Sequence, residues 1–218
     1  MSLRTPLVSI LAATSLVFVA SASLAMPAPG SALRYTVTRN GDEVGSHIIQ
    51  FSKDKDALKV DIHTDVKVYL AFIPVYHFKH DGRETWQHGH LVSLVSKTDD
   101  DGTPKNLDVE LRGDKLAIDS SLGKDTAEPD IQPASLWNAH IVSADHTVLL
   151  NTLDGKKMSV NAAYVGTERI NAKNGPVAAR HYAMTGELER ELWFSADDVL
   201  MKVRFKGSDG STIEYLLN

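Results

Sequence analysis

The chain has 218 residues, with 23 Lys and Arg against 28 Asp and Glu, a net charge of −5 and no cysteine. Charge signs are interspersed and no basic block occurs, which argues against a nucleic-acid or polyanion partner. Without cysteine there is no disulfide and no lipobox thiol for lipid attachment, and an oxidising compartment permits disulfides without demanding them.

The first 25 residues read as a secretory signal peptide. Arg4 supplies the positive n-region, "LVSILAATSLVFVASASLA" supplies the apolar run, and Ser23-Leu24-Ala25 places small residues at the −3 and −1 positions of a cleavage site. A cut after Ala22 is the alternative, and an uncleaved membrane anchor is a further one. No second apolar run has the length of a spanning helix, so the chain is expected to be soluble in the periplasm or outside the cell, with no stable membrane insertion once the leader is removed. Residues 26–218 are expected to form a single domain of a size that buries roughly 70% of its unfolded surface.

Turn chemistry sets the expected architecture. Asn40-Gly41, Asp81-Gly82, Asp101-Gly102, Asp154-Gly155, Asn174-Gly175 and Asp209-Gly210 all suit the positive φ angles of tight hairpins. At Asn40-Gly41, a two-residue loop sets Leu33 opposite Ile48 and Val37 opposite Val44. In "VLMKVRFK", Val199, Met201, Val203 and Phe205 alternate with Lys202, Arg204 and Lys206. A three-residue loop ending in a left-handed Gly210 then pairs Phe205 with Ile213 and Val203 with Tyr215. About twelve or thirteen strands follow from such spacing, too many for a flat sheet. The predicted fold is mainly β, an antiparallel meander closed or half-closed into a barrel.

The stretch "YHFKHDGRETWQHGH", residues 76–90, holds four of the nine histidines. A turn at Asp81-Gly82 sets Lys79 against Glu84 and His77 against Trp86. Tyr76, Phe78 and His80 then share one face, while His77, Lys79, Glu84, Trp86, His88 and His90 share the other. His88 and His90 are i,i+2 neighbours and His77 lies diagonally from His88, so these three could converge as zinc ligands. The same residues also make an ordinary polar strand face whose side chains bond to one another. Asp99-Asp100-Asp101-Gly102 lacks the ligand spacing of a calcium loop and reads as a solvated turn. Glu187, Glu189 and Glu191 alternate with Leu188, Leu192 and Phe194 as a solvated outer face.

One segment lacks alternation: "AEPDIQPASLWNAHIVSADH", residues 127–146, with a short helix expected from Pro133. It carries Trp137 and is expected to act as a helical cap over the barrel mouth, or as a connection across its base. No Gly-x-Ser-x-Gly elbow, His-Glu-x-x-His or phosphate-cradling glycine loop occurs, so no cofactor is implied.

Taken in order, "RYTVTRNGDEVGSHIIQF", "YHFKH" with "ETWQHGHL", "TDDDG", "SLWNAH", "LLNTLDGK" and "LWFSADDVLMKVRFKGSDGSTIEYLL" resemble an uncharacterised family of secreted bacterial proteins, a domain of unknown function. The matching positions are Tyr76, Phe78, His80, Glu84, Trp86, Gly89, Leu91, Trp137 and Asn138; His77, His88 and His90 lie outside the pattern. The resemblance implies a secreted β-rich fold with no established activity and directs interest to His80, Glu84, Trp86 and Trp137.

Two functions are compatible with these features. One is a non-enzymatic module binding an apolar or lipid-like ligand in a barrel cavity, with Tyr76, Phe78, His80, Glu84, Trp86, Trp137 and Asn138 as binding residues. The other is a hydrolase using zinc on His77, His88 and His90 to activate water. An outer-membrane barrel has the same ingredients, but aromatics are only 7% of the chain and no girdles stand out.

Overall fold

A computed structural model describes residues 28–172 and 175–218. The signal peptide and Asn174 lie outside the described residues. From the N-terminus run β1 (Ala32–Arg39), β2 (Asp42–Asp54), β3 (Ala57–Leu70), β4 (Ile73–Gln87), β5 (His90–Asp100), β6 (Thr103–Arg112), β7 (Lys115–Ser120) and β8 (Gly123–Ala127). After a crossing segment come β9 (Gln132–Pro133), β10 (His146–Leu150), β11 (Lys157–Ala172), β12 (Gly175–Gly186), β13 (Arg190–Phe194), β14 (Leu200–Lys206) and β15 (Thr212–Leu217). All fifteen belong to one sheet, in the order β8 down to β1, then β15 down to β9.

The protein is therefore mainly β and antiparallel, apart from the short parallel contact of β9 with β10. The sheet is open: its edge strands β8 and β9 are not hydrogen-bonded to each other. Curling nonetheless brings them together, because so many twisted strands with one apolar face must bury that face against itself. Side chains hold the seam. Lys157 Nζ lies 2.8 Å from Asp125 Oδ2 and donates to the Thr126 carbonyl at 3.0 Å. Ser96 Oγ donates to the Thr152 carbonyl at 2.5 Å, and Gly155 fits against Leu107 and Ile118 with no room for a Cβ.

Several expected registers hold. Asn40-Gly41 is the two-residue turn between β1 and β2, with φ of 52° and 95°. Phe205 pairs with Ile213 and Val203 with Tyr215, around a turn in which Gly210 has φ 80°. In β1–β2, however, Leu33 pairs with Ile49 and Val37 with Gly45, one residue from expectation, because a bulge at Val44 intervenes. Another bulge between Trp193 and Phe194 turns Leu200 into the main core and leaves Met201 in a small second cluster with Trp193, Ile170 and Ala179.

Asp81-Gly82 is not a turn. Both residues lie in the middle of β4, where Asp81 pairs with His63 and Gly82 with Ile62. The chain reverses instead at His88-Gly89, with φ of 50° and 82°. The pairing of Lys79 with Glu84 is thereby lost. Tyr76, Phe78, His80, Gly82, Glu84 and Trp86 share the face toward the interior, while His77, Lys79, Asp81 and Arg83 face outward.

The 127–146 segment also differs from the expected cap. Pro133 lies in β9, and the helical content is one 3₁₀ turn, Ala139–Val142. Trp137, 2% exposed, packs edge-on to Phe51 and Trp86 with ring centroids 5.3 and 5.6 Å away. The segment crosses inside the bent sheet and fills its lower half. The turns β1–β2, β3–β4, β12–β13 and β14–β15 gather at the opposite, upper rim, as does the loop from β10 to β11.

Gly45 marks a close backbone approach between β2 and β3. A Cβ there would lie 2.0 Å from the Asp65 carbonyl oxygen. Gly45→Ala is expected to destabilise the fold by about 3 kcal/mol, a cost typical of severe overpacking, seen as a lower urea midpoint at unchanged slope.

Candidate functional site

The interior of the bent sheet divides into a dry floor and a cavity. At the floor, Glu84 is 0% exposed. Its Oε2 accepts from Trp86 Nε1 at 2.8 Å and from Trp137 Nε1 at 3.0 Å. Burial drives the Glu84 carboxyl above its ordinary pKa, opposed by Ser135 and the two indoles. No hydrogen-bond partner meets Oε1. Desolvation is thus the dominant influence on this carboxyl, with no cation alongside to offset it.

Above the floor lies a cavity of about 210 Å³. Its wall is largely apolar, including Phe78, Leu136, Leu153, Leu188, Val203 and Phe205. His47, Thr64, His80, Arg190 and Tyr215 also line it. His47 Nδ1 and Thr64 Oγ1 share a hydrogen bond of 2.7 Å, and His80 Nδ1 and Thr98 Oγ1 share one of 2.8 Å. The His47 ring packs between Tyr35 and Tyr215, with centroids 5.5 and 5.2 Å away. Burial lowers the pKa of His47 to about 3 and of His80 to about 4, so both imidazoles are neutral at pH 7. The His80 ring packs closely over Gly82, where a Cβ would stand 3.1 Å from His80 Nε2.

The seven residues proposed from sequence as ligand-binding divide by this geometry. Phe78 and His80 line the cavity. Tyr76 donates its hydroxyl to Asp100 Oδ1 at 2.9 Å, and burial together with that carboxylate raises its pKa. Glu84, Trp86 and Trp137 form the floor. Asn138 accepts from the His140 backbone N–H at 3.0 Å and so caps the 3₁₀ turn.

His77, His88 and His90 do not converge. His77 points outward toward Asp65 Oδ1 at 3.2 Å, whereas His88 lies in the β4–β5 turn and His90 just after it, about 35 Å along the strand at ~3.3 Å per residue. Among the described residues no group of His, Asp and Glu is placed to hold a metal.

The comparisons fit this architecture. A family model described as a domain of unknown function, DUF6134, matches residues 35–218. The chain belongs to the DUF6134 family. Its fold is similar to a crystal structure of a β-barrel-like protein of another domain of unknown function, DUF1849, from Brucella abortus. That similarity has a TM-score of 0.59 at 10% identity, over 86% of this chain and 94% of the other. A comparison with curated proteins finds no match. The DUF6134 chain thus shares a β-barrel-like fold with a bacterial domain that is likewise of unknown function.

Two features escaped sequence reasoning. Arg190, Phe205 and Tyr215 come from the last third of the chain, and only their inward alternation with Leu192 and Val203 hinted at a shared wall. The β3–β4 tip is the second: Tyr69, Leu70, Phe72, Ile73 and Val75 are exposed, Phe72 at 96%. Exposed apolar patches of this kind mark contact sites for partners, ligands or membranes; the sequence signal was the run "VYLAFIPVY".

Two predictions concern these buried groups. Glu84→Gln keeps an oxygen for both indoles and removes an ionisable group that opposes folding as pH rises above its ordinary value. Its melting temperature at pH 8 should equal or exceed that of the wild type, while Glu84→Leu, leaving two N–H groups unpaired, should lose about 3 kcal/mol or more. For the imidazoles the sign is reversed. The unfolded chain protonates more readily, so their contribution is full above about 6.5 and drains as pH falls toward 4 and then 3. Each contributes a slope of about 1.4 kcal/mol per pH unit within its window. His80→Asn should flatten the fall in urea-unfolding free energy between pH 6.5 and 4.

Proposed function

We propose that this chain is a non-enzymatic binding protein of the periplasm or cell exterior that holds an apolar or amphipathic small molecule in its half-barrel. The observation that carries this reading is the cavity. It lies at the open end of the sheet, is walled mainly by apolar side chains, and receives a few polar groups from separate strands, the usual make-up of small-molecule sites. Its size also limits the ligand. About 210 Å³ equals the share of roughly seven water molecules at ~30 Å³ each, which suits a short acyl chain or a compact apolar group. The signal-peptide reading of residues 1–25 supports the location, and the exposed apolar β3–β4 tip at the same rim supports contact with apolar surroundings.

The test is native mass spectrometry of full-length protein exported to a periplasm and purified without detergent, followed by titration with short-chain acyl probes. A non-covalent adduct or saturable probe uptake is expected. Leu153→Trp, which fills the cavity from the β10–β11 loop, should weaken uptake by about tenfold or more. Bare mature mass together with no saturable uptake would sink the reading, as would uptake indifferent to Leu153→Trp in a protein that melts normally.

A further inference from the structure

We infer that Arg190 is a head-group anchor, and that the cavity takes a small amphiphile carrying an anionic oxyacid head, carboxylate or phosphate, with its apolar part directed inward. The inference rests on the cavity being a binding site and names the chemistry that site selects.

The arginines of the chain make the case by contrast. Of the eight described, Arg39, Arg83, Arg112, Arg180 and Arg204 each pair with a carboxylate. Arg34 and Arg169 are exposed and solvated. Arg190 is neither. It is partly buried, and no described carboxylate lies within 4.0 Å of it. Its guanidinium stacks on the Phe205 ring, 3.9 Å from the centroid, and Nη1 donates to the Glu189 carbonyl at 2.7 Å.

The neighbouring carboxylate is committed elsewhere. Glu191 lies on the outer face, where both its oxygens are taken by Arg204 at 2.5 and 2.8 Å. Strand alternation sends Arg190 the other way, with Leu192 and Phe194.

The cavity wall itself contains no Asp or Glu. Its two histidines are neutral, so Arg190 is the one charged side chain among the lining residues. A guanidinium carries five donors in a planar fork and cannot shed its charge. Held at an apolar wall without a counter-ion, it is complemented by an oxyacid, which can accept two parallel N–H bonds. Tyr215 lines the same cavity and packs against Phe205, the ring on which Arg190 stacks, with centroids 6.0 Å apart, which brings a phenol to the same wall.

The experiment is isothermal titration of the mature protein with hexanoate, octanoate and decanoate, with octyl phosphate, and with octanol as the neutral control. Wild type should bind the anions more tightly than octanol by about tenfold to a hundredfold, the scale of hydrogen bonds to a charged group. The carboxylate and phosphate arms identify which head is preferred. Arg190→Gln should abolish the preference while leaving octanol binding in place, and Arg190→Lys, which keeps the charge but loses the fork, should fall between. Equal binding of octanol and the anions by wild type overturns the anchor and leaves the cavity reading standing. No binding by any probe overturns both. Anion preference retained in a folded Arg190→Gln protein, judged by its melting curve, overturns the role of this residue.

Discussion

Two indole N–H groups, one from β4 and one from the segment that crosses between the sheet edges, end on a single oxygen of Glu84. That shared acceptor ties Trp137, 53 residues away in sequence, to the end of the β3–β4 hairpin far from its turn, where Glu84 pairs with Val60. The crossing segment has only the two-residue β9 and one 3₁₀ turn of its own, so Trp137 is fixed chiefly by contacts from the strands it spans. Phe51 and Trp86 provide edge-on packing, and the carboxyl removes the cost of burying two donors. With the segment pinned, the lower interior is filled. The bent sheet can therefore remain hollow only near its upper rim.

The fold class was legible because it depends on local rules repeated many times. Asn40-Gly41, Asp101-Gly102 and the Phe205 to Ile213 register follow from turn preferences and from period-two patterning, which need no tertiary information. Asp81-Gly82 shows where those rules stop. The dipeptide has turn chemistry, yet here the glycine lies in mid-strand with the His80 ring close over it, an approach visible only in three dimensions. Once that turn was assumed, every residue beyond it changed face. Glu84 became a surface partner of Lys79, and three histidines seemed to assemble.

The site was less legible for a related reason. Arg190 sits in "GELEREL", where alternation reads as a charged outer strand. What separates it from its glutamate neighbours is the side of the sheet it faces, and a bulge or turn upstream decides that side. Trp137 was noticed as an aromatic in an irregular stretch, but its role as floor required knowing that the stretch runs through the interior. The polar residues around the cavity come from β2, β3, β4, β13 and β15. No short motif could have gathered them.

The open seam has a mechanical consequence. In a closed barrel the circumference is set by an unbroken ring of backbone hydrogen bonds, and enlarging the lumen means breaking a ladder. Here one junction is made by Lys157 with Asp125 and Thr126, by Ser96 with Thr152, and by the seating of Gly155. The ion pair is solvent-exposed and screened by salt. Across this junction the two ends of the sheet meet through side chains and shared core packing, and none of the fourteen strand pairings spans it. This molecule is a split ring, fastened at its gap by side chains where a closed barrel would have a backbone ladder.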